Sequence, residues 1–232
     1  MKTHLSQSGE NSTSDSREQF MQFIPDEVMK AASEEPELDE KRDVLIVVDV
    51  QCDFISGPLK AHDTAKIIQP LNTAISIAES KEMLIIFTKD WHPQNHCSFK
   101  ENGGPWPTHC VMGTMGAELL SDIWRPPASV VFEFGVHPES LGYSPLENIA
   151  LDLVVSNPQV RTVYVAGIAL EYCVQATCCG ILELGKRVVA LETAIAAASS
   201  NIEETEKLWR DLVHKGVERE KLISALGNGN VA

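Results

Sequence analysis

Basic residues are scarce in this chain of 232 residues, and this shortage argues against a nucleic-acid partner. Lys and Arg number 19 against 33 Asp and Glu, which gives a formal net charge of −14. A protein that binds nucleic acid needs a basic surface to neutralise phosphates, and this total opposes one. We therefore expect no nucleic-acid partner and attribute the acidity to solubility.

Paired cysteine motifs and long apolar runs are also missing. None of the six cysteines forms a C-x-x-C pair, so the sequence predicts reduced thiols rather than a zinc or disulfide framework. No run approaches the roughly 20 apolar residues of a membrane span, and the first residues lack the apolar core of a signal peptide. These absences predict a soluble, cytoplasmic protein with no membrane partner.

The first 42 residues differ in composition from the rest of the chain. They begin polar and Ser-rich and end in an acidic stretch at 34–40. A short apolar patch interrupts them at Phe20, Met21, Phe23, Ile24, Val28 and Met29. We predict an acidic, partly disordered arm over residues 1–42 and a folded domain over 43–232. The patch packs on that domain, on a second subunit of a homo-oligomer, or on neither.

Strand-like and helix-like segments alternate along the domain. Short runs rich in β-branched residues begin near 44, 83, 128, 163 and 187. Apolar residues recur at helical spacing over 64–80, 146–155, 173–184 and 203–214. This alternation predicts an α/β fold in which a parallel sheet is flanked by helices on both faces, a Rossmann-like three-layer architecture. Ligands of such sheets bind at the carboxyl ends of the strands, where polar side chains become candidate site residues.

A carboxylate ends the first apolar run at Asp49. Burial of a carboxylate is costly unless the group is paired or hydrogen-bonded. Asp49 is therefore either a structural residue that ties down the next loop or a general base whose pKa is tuned by partial burial.

Metal-type ligands follow the second strand run. Asp90 and His92 lie two residues apart, so in extended backbone their side chains share a face, and His109 lies across the following loop. An Asp, His and His set suits Zn²⁺, Mn²⁺ or Fe²⁺ and leaves positions open for water or substrate. His96 is either a fourth ligand or a residue that hydrogen-bonds within the loop. A D-x-H pair alone is weak evidence, since many such pairs lie on surfaces.

A thiol follows the fourth strand run at Cys173, where a helical segment begins. The positive end of a helix dipole favours thiolate, and nearby backbone N–H groups can bind an oxyanion. Cys173 is either a nucleophile or a small buried residue, as Cys178 and Cys179 are expected to be.

Four segments taken together resemble the nicotinamidase/pyrazinamidase branch of the isochorismatase-like cysteine hydrolases. They are residues 47–54 (VVDVQCDF), 88–92 (TKDWH), 106–111 (WPTHCV) and 167–174 (GIALEYCV). Their order and spacing agree with that branch across residues 43–198. Because four ordered motifs make a specific match, the resemblance outweighs the purely structural interpretations of the single residues.

The resemblance implies a catalytic role for each matching position. Cys173 would be the nucleophile and Asp49 the base that takes its proton. The backbone N–H groups of Ala169 and Cys173 would form the oxyanion hole, helped by a cis peptide between Ile168 and Ala169. The implied reaction converts nicotinamide to nicotinate and ammonia through a cysteine thioester, as part of NAD salvage.

The resemblance also implies a divalent metal and a flat aromatic amide as ligands. Zinc is the first expectation, with iron and manganese as alternatives. The implied metal ligands are Asp90, His92 and His109. Phe54 and Trp106 would flank the ring of the substrate, either nicotinamide or pyrazinamide.

One position departs from the family pattern. The catalytic lysine of the family usually precedes a glycine after the third strand, and here that position is Phe134, before Gly135. An ammonium between Asp49 and Cys173 stabilises both anions, so a phenyl ring should raise both pKa values. The chain is then an active nicotinamidase that tolerates the loss, a catalytically impaired or non-catalytic metal- and ligand-binding protein, or an amidase for another small amide.

Other lysines near these motifs are alternative cations for the site. They are Lys60, Lys89 and Lys100. Lys89 should point away from Asp90, because adjacent residues of a strand face opposite sides. A milder departure is Leu170 and Glu171, where the family often has Thr and Asp.

Overall fold

The structure is a computed structural model that describes residues 42–221 and Leu226. Apart from Arg42, the predicted arm over residues 1–42 lies outside the described residues. Six parallel strands form one sheet in the order β3-β2-β1-β4-β5-β6. The strands are β1 Arg42–Val48, β2 Leu84–Asp90, β3 Val130–Phe134, β4 Val160–Ile168, β5 Arg187–Ala196 and β6 Glu218–Glu220.

Helices cover both faces of the sheet, as the sequence predicted. They are α1 Cys52–Ile55, α2 Ala65–Ser80, α3 Ile149–Ser156, α4 Gln175–Glu183 and α5 Ile202–Lys215. Short 3₁₀ turns lie at Lys100–Asn102, Met115–Ala117 and Pro145–Glu147, and a π-helical turn spans Leu170–Val174. No helix in the described part of the chain combines the length and apolar character that a membrane crossing requires.

The central strand explains the layered arrangement. Residues 44–48 of β1 are fully buried, so both faces of this strand need an apolar cover. Leu71 and Ile75 of α2 pack on one face. Leu151 of α3 and Trp209 of α5 pack on the other. Alternate residues of β1 therefore belong to two different apolar cores.

The strand order places the candidate residues side by side. β1 lies between β2 and β4, and the order of the chain through the sheet reverses at the β1–β4 pair. Such a switch point opens a crevice at the carboxyl ends of the strands. The residues that follow β1, end β2 and follow β4 therefore meet at one edge of the sheet.

Two elements were not predicted from the sequence, namely α1 and β6. Each is short, and β6 has the polar sequence Glu-Arg-Glu, so neither carries a periodic apolar signal. A bidentate ion pair holds β6 on β5: Arg187 donates to the Glu218 carboxylate at 2.7 and 2.6 Å. A tertiary contact rather than local propensity therefore fixes this edge strand.

Candidate active site

A cavity of about 220 Å³ opens at the carboxyl edge of the sheet. Its polar lining residues are Lys60, Asp90, His92, Ser98, His109 and Cys173. Its aromatic lining residues are Phe54, Trp106, Tyr143 and Tyr172. The structure thus brings the predicted nucleophile, metal ligands and ring-flanking residues into one cavity. Ala169, the predicted oxyanion residue, also lines it.

Asp49 lies directly after β1 and is fully buried. Its backbone has a φ of 48°, in the left-handed region that non-glycine residues rarely adopt. The Thr88 hydroxyl donates to Asp49 Oδ1 at 2.6 Å, whereas Asp49 Oδ2 is buried without a hydrogen-bond partner within the described chain. Burial, reinforced by the charge of Asp90, raises the pKa of Asp49 to about 8.

The raised pKa of Asp49 predicts a pH-dependent loss of stability. The ordinary value is 3.8, so between about pH 4 and 8 the folded chain holds a proton that the unfolded chain has released. Stability therefore falls as the pH rises through this window. Asn carries no such proton, so we expect Asp49→Asn to raise the Tm of EDTA-treated protein at pH 8 by roughly 4 °C or more. The gain at pH 5 should be smaller.

Thermal unfolding of both proteins in EDTA at pH 5 and pH 8 measures this difference. The matched control is Asp211→Asn, which removes an exposed carboxylate of α5 and should leave the pH dependence of Tm unchanged. If Asp49→Asn and wild type lost stability equally between the two pH values, Asp49 would not hold its proton in the folded state.

Cys173 lies inside the π-helical turn Leu170–Val174, two residues before α4 begins at Gln175. The helix dipole was predicted to favour the thiolate form of Cys173, but burial and nearby negative charges outweigh that effect. Burial, followed by the charges of Asp49 and Asp90, raises the pKa of Cys173 well above its usual value. The resting nucleophile is therefore a thiol that needs a base.

The end of β4 requires a glycine and carries the predicted cis peptide. Gly167 has a φ of 120°, and a Cβ there would lie 2.1 Å from the Val48 carbonyl oxygen. β4 can therefore approach β1 closely only with glycine at this position. The Ile168–Ala169 peptide is cis, as the family resemblance implied.

Asp90, His92 and His109 form a compact cluster of buried ligands. Their ligand atoms all lie within 4.8 Å of one another. Asp90 Oδ2 is 2.8 Å from His92 Nε2 and 3.6 Å from His109 Nε2. Burial alone would raise the pKa of Asp90, but interactions with His109 and His92 hold it below its usual value. The Asp90 carboxylate is thus kept charged, as a metal ligand must be.

The hydrogen bonds behind the cluster orient both imidazoles toward Asp90. His92 Nδ1 lies 2.8 Å from the Gly135 carbonyl oxygen, and His109 Nδ1 lies 2.8 Å from that of Pro107. A carbonyl oxygen only accepts, so each Nδ1 carries a proton and each Nε2 is turned toward Asp90, where it would offer a lone pair to a metal ion once it is deprotonated. Asp90 Oδ1 is also buried without a hydrogen-bond partner among the described residues. The donor set and its orientation therefore fit a divalent metal.

Gln51 fixes the backbone of Asp90, a role that its sequence position did not reveal. The Gln51 amide donates to the Asp90 carbonyl at 2.7 Å, and the Asp90 N–H donates to Gln51 Oε1 at 2.8 Å. Gln51 is fully buried. In the sequence, only its place within the family-like segment 47–54 indicated that Gln51 belongs to the site.

His96 lies beside the cluster but outside the converging set. Its ring stacks on that of His92 at a centroid distance of 3.9 Å, and its Nδ1 pairs with Ser98 Oγ at 2.7 Å. Its Nε2 is buried without a hydrogen-bond partner in the described chain. Burial, with the charge of His92, lowers the pKa of His96 to about 4, so the ring is neutral near pH 7. A role for His96 as a fourth ligand stays a prediction.

Gly135 packs directly against the metal-ligand cluster. Its φ is 68°, and a Cβ there would lie 2.7 Å from His92 Cε1 and 2.8 Å from Asp90 Oδ1. We expect wild-type protein to bind about one divalent metal per chain. Gly135→Ala should weaken zinc binding at least about tenfold, because it displaces a ligand and the carbonyl that orients it.

Zinc titration with a competing chelator, followed by metal analysis of the desalted protein, measures this loss. The matched control is Gly185→Ala, which imposes the same substitution at a φ of 73° where a Cβ would meet nothing within 4 Å. Equal zinc affinity in the two variants would show that Gly135 does not support the site. Wild-type protein that takes up no zinc, iron or manganese would disprove the metal site itself.

Aromatic rings form the walls of the cavity. The ring centroids of Phe54 and His109 lie 5.7 Å apart. Trp106 packs edge-on against Tyr172 with a distance of 5.1 Å between their ring centroids. The Trp106 Nε1–H donates to the Tyr143 hydroxyl at 3.0 Å. Phe54 and Trp106 were predicted to flank a ring, but Tyr172 was missed because nothing separates it from an ordinary helix residue in the sequence.

Phe134 occupies the position predicted for the family lysine. It ends β3, pairs in register with Asp90 and is 1% exposed. Its ring belongs to the same buried apolar cluster as Cys173. This position therefore carries a buried apolar ring rather than a cation.

The three alternative lysines differ in whether they line the cavity. Lys89 points away from the cavity, as predicted: its Nζ lies 3.3 Å from the Glu118 carboxylate and 3.9 Å from the Trp91 ring centroid. Lys100 is exposed and is not a lining residue. Lys60 is exposed and lines the cavity. Of these three lysines, only Lys60 faces the cavity.

Glu171, the milder departure from the family pattern, has a structural use. Its carboxylate accepts hydrogen bonds from the N–H groups of Ala198 at 2.7 Å and Ser199 at 2.9 Å. Ala198 lines the cavity. Glu171 therefore holds the loop after β5 against the nucleophile turn.

Comparisons with known proteins agree with this geometry. The model of the Isochorismatase domain matches residues 43–218. The nicotinamidase of Acinetobacter baylyi is 30% identical over 198 residues, which cover 75% of this chain and 90% of that protein. The pyrazinamidase of Pyrococcus horikoshii, solved in complex with zinc, is 36% identical with a TM-score of 0.73, covering 78% of this chain and 99% of that one. PnC1 from L. infantum, solved in complex with nicotinate, is 31% identical with a TM-score of 0.71, covering 81% and 95%.

Proposed function

Because the chain belongs to the isochorismatase family, as a nicotinamidase-like hydrolase, we propose that it converts nicotinamide to nicotinate and ammonia in NAD salvage. The observation that carries this proposal is the convergence of Cys173, the Asp90–His92–His109 cluster and four aromatic side chains on one cavity. A thiol supplies the nucleophile, and the aromatic walls suit a flat ring. The relatives named above act on or bind ligands of this kind.

In the proposed reaction, Asp49 takes the proton of the Cys173 thiol, and the sulfur attacks the carboxamide carbon. The negative charge that develops on the oxygen is stabilised by the N–H groups of Ala169 and Cys173. The C–N bond breaks, and Asp49 returns the proton to the leaving ammonia. Water, deprotonated by Asp49, then cleaves the thioester, which releases nicotinate and restores the thiol.

The ligand cluster is assigned to substrate orientation. Asp90, His92 and His109 would hold the divalent metal, with zinc as the first expectation. When bound, the ion would supply an open coordination position for the ring nitrogen of the substrate. Phe54 and Trp106 would hold the ring between them, so that the carboxamide points at Cys173.

The aromatic ring of Phe134 does not by itself favour the catalytically impaired or non-catalytic alternative. Burial raises the pKa of both groups, so the Asp49 carboxylate is a stronger base toward the Cys173 thiol than an ordinary aspartate would be. A stronger base takes a proton more readily from a thiol whose pKa is raised. The relatives named above give no support to the non-catalytic alternative.

Ammonia release from nicotinamide by zinc-loaded protein tests the proposal, with benzamide as the matched substrate that lacks the ring nitrogen. We expect release from nicotinamide and a kcat/KM at least about tenfold lower for benzamide. Equal rates would remove the proposed role of the ring nitrogen. If neither amide is hydrolysed while another small amide is, the substrate assignment is wrong.

A further inference from the structure

We propose that Thr88 is a positioning residue for the catalytic base, because its hydroxyl holds one carboxylate oxygen of Asp49 and leaves the other to accept the Cys173 proton. The inference deepens the proposed function and rests on it. Thr88 lies on β2, two residues before Asp90, and is fully buried.

Two hydrogen bonds join the same hydroxyl to Asp49. The Asp49 backbone N–H donates to Thr88 Oγ1 at 3.3 Å, and Thr88 Oγ1 donates to Asp49 Oδ1 at 2.6 Å. A hydroxyl has a single hydrogen, so once it accepts from the backbone its proton is committed to the carboxylate. Thr88 therefore fixes both the backbone and the side chain of a residue in the left-handed region.

The other oxygen of the carboxylate is left for chemistry. Asp49 Oδ2 is buried and has no hydrogen-bond partner in the described part of the chain. A buried unpaired oxygen is costly and is retained where function uses it. Cys173 is the neighbouring side chain that exchanges a proton with Asp49 in the proposed reaction, and the two groups perturb each other's pKa.

The replacement of the family lysine makes this hydroxyl more important. Phe134 has no donor to offer Asp49. Within residues 42–221, Thr88 is the one side chain whose O–H or N–H group donates to the Asp49 carboxylate. Without it, no O–H or N–H group of a described side chain would fix the orientation of the carboxylate, and the base would lose its alignment with the thiol.

The test compares Thr88→Val, which keeps the shape and removes the hydroxyl, with Thr88→Ser, which keeps the hydroxyl. We expect Thr88→Val to lower kcat for nicotinamide about 10- to 100-fold with KM within about twofold of wild type. Thr88→Ser should stay within about threefold in both constants. Thr162→Val is the matched control, because Thr162 is a buried strand threonine whose hydroxyl has no hydrogen-bond partner among the described residues.

A second readout does not depend on amidase activity. The alkylation rate of Cys173 by iodoacetamide, followed by mass spectrometry of its peptide, should fall in Thr88→Val and be unchanged in Thr162→Val. If wild type hydrolyses no nicotinamide, the proposed function fails, yet this order of alkylation rates still supports the positioning role.

Three results would overturn the inference. Thr88→Val could match Thr162→Val in both kcat and alkylation. Thr88→Ser could be as impaired as Thr88→Val, which would assign the effect to shape rather than to the hydroxyl. Zinc content could fall in Thr88→Val in proportion to kcat, which would show that the substitution acts by disturbing the metal ligands at the end of β2.

Discussion

Replacement of Cys173 by alanine is expected to reduce ammonia release from nicotinamide by at least about 1000-fold, because the attacking sulfur is removed. The fold should persist, since Cys173 contributes only a small buried side chain to a cluster of larger apolar residues. The ring pocket and the ligand cluster do not depend on the sulfur. Nicotinamide binding and zinc content should therefore stay close to wild type.

Cys178→Ala is the control for the loss of a buried thiol. Cys178 lies on α4, is fully buried in the same apolar cluster and does not line the cavity. Its variant should retain wild-type activity, apart from a small loss of Tm. Ammonia release, zinc content and thermal unfolding of the three proteins separate chemistry from stability. Turnover retained in Cys173→Ala would remove the nucleophile assignment and, with it, the role given to Asp49.

The parts of the site that follow strand geometry were predictable from the sequence. Asp90 and His92 share a face because side chains alternate along a strand, and Lys89 points away for the same reason. Asp49 and Cys173 meet because their strands are neighbours in a parallel sheet. In each case a local rule, combined with the topology, places the residue.

The residues that support the site were not predictable in this way. The carbonyl of Gly135 reaches His92 across 43 positions of sequence, and the hydroxyl of Thr88 reaches Asp49 across 39. Such contacts depend on the register between strands and on loop conformation, neither of which leaves a periodic pattern in one sequence. The π-helical turn at Leu170–Val174 likewise reads as ordinary helix.

Phe134→Lys is expected to make the nucleophile more reactive. An ammonium at the end of β3 would enter the apolar cluster that contains Cys173, at the strand position paired with Asp90, and it would favour both the thiolate and the Asp49 carboxylate. We expect the alkylation rate of Cys173 at pH 7 to rise about 10- to 100-fold, because a larger fraction of the thiol is ionised. The midpoint of the alkylation profile should move to lower pH. Ammonia release should rise in the same direction.

Phe134→Met separates the charge from the change of shape, because it is unbranched, apolar and close in length to lysine. It should leave the pH midpoint of Cys173 alkylation where it is in wild type. Both variants remove a buried ring and should lower Tm, and the lysine more so, because a charge enters an apolar cluster. A folded Phe134→Lys protein with an unchanged alkylation profile would contradict the electrostatic account. The pKa of Cys173 would then be set by its burial rather than by the missing cation, and the active site would have adapted to work as a neutral pair.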